Sequence, residues 1–219
     1  MPIFQDLTSR IRGSVAVALQ EQVAQDIDRL ICRLLEASII LWKQDNWIRY
    51  DDGEDNCTVQ LYRCCKVARQ KDRRLTLLVP RFQWVNVTDT MLDRAESVSS
   101  AKRPDLRIEI GEVGRALECK RLKPTGHWCR AYVREGLTRF VLGDYGQGEP
   151  VGYMVGYVQA GTFTELLIRI NKQILGYPRM GEEDQLKRLE ENQSSSWSRS
   201  VHTHMHPIQI DHLMVDLVS

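Results

Sequence analysis

The chain predicts an α/β or α+β fold, a mixed central sheet flanked by helices, on three observations. Apolar residues near the start recur at helical spacing, residues 104–120 alternate with period two on both sides of a glycine-flanked turn, and the second half interleaves helical and strand-like segments. At 219 residues and 42% hydrophobic composition the chain can bury a substantial core and does not require a second domain. One domain spanning 1–219 is therefore expected.

From about Phe4 to Lys43 the pattern is helical, with Val23, Ile27, Leu30, Ile31, Leu34, Leu35 and Ile39 at three- and four-residue intervals, and Gly13 interrupting it early. Asp51 to Asn56 reads as an acidic turn. Strand-like runs follow at Leu75–Val79 and Phe82–Val87, separated by Pro80, and a polar loop through Ser97–Lys102 leads to Pro104. After the alternating segment, a helix is expected from about His127 to Leu142. A strand then runs over Val151–Gln159, and a helix over Thr162–Leu175 is capped by Thr162 or Thr164. The stretch 181–200 is highly polar, which predicts partial mobility, and strand character returns over Ile208–Leu217.

The alternating segment carries the chemistry. In a strand, successive side chains point to opposite faces, so Leu106, Ile108 and Ile110 oppose Asp105, Arg107 and Glu109, while Leu117 and Cys119 oppose Ala116, Glu118 and Lys120. A turn centred on Glu112-Val113 pairs 105 with 120, 107 with 118 and 109 with 116. Burial of the apolar side then puts Asp105, Glu118 and Lys120 on one face. Two neighbouring carboxylates repel unless a proton or cation lies between them, and hard oxygen donors suit Mg²⁺ or Mn²⁺. A lysine beside such a cation suits phosphodiester hydrolysis, where it adds positive charge at the phosphorus and helps orient the attacking water.

Pro104-Asp105 followed by Glu118-Cys119-Lys120 resembles the signature of the PD-(D/E)xK nuclease superfamily, the restriction-endonuclease-like fold. The resemblance implies a Mg²⁺- or Mn²⁺-dependent nuclease with the aspartate and the acid-x-lysine on adjacent antiparallel strands. The metal would be held by Asp105, Glu118 and the main-chain carbonyl of Cys119, with Asp105, Glu118 and Lys120 as catalytic residues. It also implies a further acid on the helix before the sheet, with Asp26 preferred and Glu21 the alternative. Less specific likenesses extend over Tyr132–Phe140, Gly152–Val158 and the terminal strand, in the manner of uncharacterised bacterial nucleases. DNA is the implied substrate and restriction or antiphage defence the implied setting. A homodimer would let two sites address two strands, and a partner subunit of a defence system is the other implied association. The competing expectation is a regulatory or interaction subunit that keeps such a fold and binds a protein or nucleic acid without catalysis.

The formal charge of +1, from 30 basic and 29 acidic residues, excludes a globally basic nucleic-acid binder and leaves local patches. Arg130, Arg134 and Arg139 on the helix after the signature are the candidate nucleic-acid contacts, 130 and 134 sharing a helical face. Six cysteines without a CxxC pair predict reduced thiols and a cytoplasmic protein. No run has the length of a membrane span, and Val15–Leu19 is too short for a signal peptide. Absence of GxxxxGK[ST] and GxGxxG argues against nucleotide-driven motor chemistry. His202, His204 and His206 alternate and would share one strand face, but no acid or cysteine lies nearby in sequence to complete a zinc site. His127-Trp128-Cys129 lacks the spacing of a base and nucleophile pair.

Overall fold

The computed structural model describes residues 26–44, 53–82, 103–203 and 206–218. Expectations for Phe4–Gln25, Glu21 included, for the strand beyond Phe82 and for His204 fall outside these residues. The described chain is mixed α+β. Its seven-stranded sheet runs in the order β1 (Val79–Phe82), β2 (Leu106–Ile110), β3 (Val113–Leu122), β4 (Val151–Val158), β7 (Ile208–Asp216), β6 (Ser195–His202), β5 (Lys187–Glu191). β2 is antiparallel to both its neighbours, β1 and β3; β3, β4 and β7 are parallel; and β6 is antiparallel to both β7 and β5.

Helices cover both faces. α1, described over 26–44, and α2 (Glu54–Lys71) enclose one core with Leu117, Cys119, Tyr153, Val155 and Tyr157. On the other face lie α3, a helical run over 128–141, and α4 (Phe163–Leu175), packed with Ala116, Leu122, Met154 and Val158. β4, with the sequence Val-Gly-Tyr-Met-Val-Gly-Tyr-Val, is buried along its whole length because it has a helical layer on each side. Its glycines let α3 approach: a Cβ on Gly152 would stand 2.6 Å from the Phe140 ring. The outer strand β5 is exposed at every residue and carries Lys187, Arg188, Glu190 and Glu191, a charged edge that discourages pairing with another chain.

Several expectations are corrected. The hairpin turn is Gly111-Glu112, with Gly111 at φ +58°, so 106 pairs with 117, 107 with 116 and 109 with 114. The pairing expected from the sequence is therefore off by two residues, which preserves the facing of every side chain. Pro80 lies inside β1 and does not separate two strands; β1 is an edge strand, where a missing N–H is tolerated, and Arg73–Leu75 is a short 3-10 turn. Of the acidic cluster expected as a turn, Glu54, Asp55 and Asn56 belong to α2, a helix that the sequence pattern does not announce. Cys57, Leu61, Cys64, Cys65 and Ala68 form its buried stripe, with Glu54 and Asp55 in the first turn and Arg69 and Lys71 in the last, as the helix dipole favours. The polar stretch 181–200 is built into a 3-10 turn, β5 and most of β6, its serines alternating inward on β6. Among the described residues no helix is long and apolar enough to cross a membrane, and all six cysteines are free thiols.

α1 is fastened to the sheet by a buried ion pair. Arg115 of β3, 2% exposed, meets both carboxylate oxygens of Asp28 at 2.9 Å, and the Tyr153 hydroxyl donates to the same carboxylate at 3.0 Å. The paired fork geometry compensates the guanidinium for its lost water.

Candidate active site: an acid and lysine cluster

β2 and β3 bring Asp105, Glu118 and Lys120 together on the face turned toward α3. Asp105 immediately precedes β2, and its Oδ2 accepts the main-chain N–H of Cys119 at 2.7 Å, so the carboxylate is locked onto β3. The Lys120 ammonium directs its protons to Glu118 Oε1 at 2.8 Å, Glu54 Oε1 at 3.0 Å and the Cys119 carbonyl at 3.0 Å. Glu54, in the first turn of α2, also accepts from the main-chain N–H of Arg121 at 3.1 Å. Gly136 of α3 makes room for Met154, whose Cε would lie 2.6 Å from a Cβ there, and so lets the helix pass close to the lysine stem. The helix widens to i→i+5 bonding over Tyr132–Leu137 where it crosses the cluster, a distortion that recurs at functional sites.

Three carboxylates thus surround one ammonium in a largely dry setting. Burial pushes the Glu118 carboxyl up to about 7, Asp105 adds to the shift, and Lys120 only partly offsets it. Asp105 is raised as well, by burial first, against the pull of Lys120 and the Cys119 N–H. For Lys120 burial acts downward, but Glu118 and Glu54 outweigh it and hold the ammonium charged. Lys120 is accordingly a fixed positive charge and not a proton acceptor. The Cys119 thiol is fully buried and pushed far up, so it is inert as a nucleophile.

The donor set fits a hard divalent cation. Glu118 Oε2 is buried with no hydrogen-bond partner, and leaving a carboxylate oxygen dry and unmet is costly unless something cationic meets it. Among the described residues no three metal-ligating side chains converge. The available donors are Asp105, Glu118 and the Cys119 carbonyl, the same set the resemblance implies.

Asp26 does not join them: it pairs with Arg29 at 2.7 Å on the solvent side of α1, and the next inward acid, Asp28, is committed to Arg115. Glu54 is the helix acid that reaches the cluster. Its signal was Gly53 followed by Glu54-Asp55 ahead of an apolar stripe, a helix start that the surrounding acidic run obscured. Tyr145 was also missed. Buried beside Glu118 and Asp105, its hydroxyl donates to the Arg103 carbonyl at 2.9 Å and fixes the approach to Asp105.

A cleft of about 520 Å³ opens beside the cluster, lined by Glu54, Asp55, Asn56, Lys120, Arg121 and Trp128 among others. Asp105 and Glu118 stand behind Lys120 and are not part of that lining. Arg130 and Arg134 are exposed on α3. Arg139, also on α3, bonds Asp144 at 3.1 Å, so its guanidinium is tied to the loop after the helix.

The terminal histidines take another route. His202 points inward, its Nδ1 2.7 Å from Asp184 Oδ1, and Ser200 Oγ lies 2.8 Å from His202 Nε2 and 2.9 Å from His212 Nε2. His212 Nδ1 is 2.9 Å from the Tyr132 hydroxyl. All five side chains are buried, and this chain ties β6 and β7 to α3. His206 meets the Gly146 carbonyl at 3.2 Å, so these imidazoles do not gather around one point.

Fold and site define a mixed α+β protein with a buried acid–lysine cluster at the end of an antiparallel hairpin. Compared with family models, curated proteins and solved structures, the chain matches none.

Proposed function

We propose that this protein is a metal-dependent phosphodiester hydrolase of the PD-(D/E)xK type acting on DNA. The observation that carries the reading is the pairing of a dry, unpartnered Glu118 oxygen with Asp105 and a charged Lys120 on one face. Bound there, Mg²⁺ or Mn²⁺ would activate water and draw charge from the scissile phosphate. Asp105 and Glu118 would hold it with the Cys119 carbonyl. Lys120, kept protonated by its acidic neighbours, would stabilise the charge that develops at phosphorus and orient the attacking water. Glu54 would keep Lys120 aimed when a substrate phosphate competes for the ammonium. A role in restriction or antiphage defence follows from the resemblance and is part of the same proposal.

The test is incubation of the purified protein with plasmid and single-stranded DNA in Mg²⁺, Mn²⁺ or EDTA. Cleavage should require the cation and fall by about a hundredfold or more in Lys120→Ala and Asp105→Ala. Cleavage that persists in both variants contradicts the assignment.

A further inference from the structure

One wall of the cleft has no part in the hydrolytic chemistry just described. Trp128 opens α3, and the exposed ring of His127 stacks on it with centroids 4.4 Å apart and planes 31° off parallel. The Arg121 guanidinium lies 4.4 Å and the Lys123 ammonium 5.4 Å from the Trp128 ring centre. Arg121 follows Lys120 directly on β3, so the aromatic stack and Lys120 border the same cleft. Gly126, at φ +72°, makes the turn that brings Trp128 back against those cations.

The chemistry of this wall selects its occupant. Away from Lys120, Asp55 and Glu135 line the wall of the same cleft and repel a phosphate seated against that wall. A flat neutral heterocycle meets no such repulsion. Its face extends the His127–Trp128 stack, its exocyclic amines can donate to the carboxylates, and the phosphates on either side remain outside, near Arg121, Lys123 and exposed Arg130. A base within an intact duplex has both faces covered by its neighbours and cannot enter.

Resting on the hydrolase reading, we propose that the cleft seats an unpaired base against the His127–Trp128 stack, which makes single-stranded or locally opened nucleic acid the substrate class. Binding is measured by fluorescence anisotropy of a short labelled DNA strand, alone and annealed to its complement, in EDTA so that nothing is cut. The wild-type protein should prefer the single strand. Trp128→Ala and His127→Ala should weaken that binding by at least about fivefold, the low end for loss of one stacked base, while Trp128→Phe retains most of it and duplex binding stays unchanged. Equal wild-type affinity for the two forms overturns the proposal, as does single-strand affinity that His127→Ala leaves intact, whether or not Trp128→Ala folds. The chelator keeps this separate from catalysis. Stack-dependent binding without cation-dependent cleavage removes the hydrolase reading alone, and cleavage with stack-independent binding removes this one alone.

Discussion

Lys120 is the residue on which the site turns, because its protons reach three acceptors on two segments: Glu54 at the start of α2, and Glu118 and the Cys119 carbonyl on its own strand. Glu118 bears the electrostatic strain. With its carboxyl held at about 7 and 5% of its surface exposed, the folded protein at pH 8 carries an anion that the unfolded chain ionises more readily. Ionised Glu118 therefore opposes folding by an amount on the order of 3 kcal/mol. Glu118→Gln should raise Tm at pH 8 by a few degrees, read by thermal denaturation, while abolishing cation-dependent cleavage. A lower Tm would mean that the ion pair with Lys120 outweighs the strain. At this scale the sequence was informative about identity and poor about partners. Asp105, Glu118 and Lys120 were legible from strand parity, whereas Glu54 comes from 66 residues before Lys120 and no local pattern links the two.

Among the elements, the hairpin was legible because a period-two pattern survives a register error of two residues, while the pairing itself depends on where Gly111 turns the chain. α2 was not, since its buried stripe is made largely of cysteine and alanine and its start looks like a turn. β6 was hidden for a related reason. Its inward residues are Ser196, Ser198, Ser200 and His202, a polar face buried through hydrogen bonds to neighbouring elements. There the sequence of bonds from Asp184 through His202, Ser200 and His212 to Tyr132 crosses from β6 to β7 to α3. Burial first, and then His202, hold the His212 imidazole well below its ordinary value, so it stays neutral in the fold. Below about pH 6.5 the unfolded chain takes up a proton there that the folded chain does not, and stability falls as pH falls. In urea unfolding at pH 7 and pH 5, His212→Gln should lose less stability on acidification than the wild type. The carboxyls that respond in the opposite sense are common to both proteins and cancel in the comparison. An equal loss in the two would refute a neutral, buried His212.

For the molecule as a whole, the class of fold followed from the order of its patterns, and the sheet then arranges what the order alone does not. Parallel β3, β4 and β7 form the centre, two antiparallel arms extend from it, and the acid–lysine cluster sits where the hairpin arm meets the centre and helices from both layers converge. This placement sets Asp105 and Glu118 on the sheet and leaves Lys120 facing the cleft. On the proposed function, Asp105 and Glu118 together would hold a divalent cation. Calorimetric titration of Mn²⁺ into the purified protein, into Asp105→Asn and into Glu118→Gln tests it most directly. Saturable binding in the wild type that is lost in each variant is the predicted result, and wild-type binding that both variants retain, or no binding in any of the three, would contradict it.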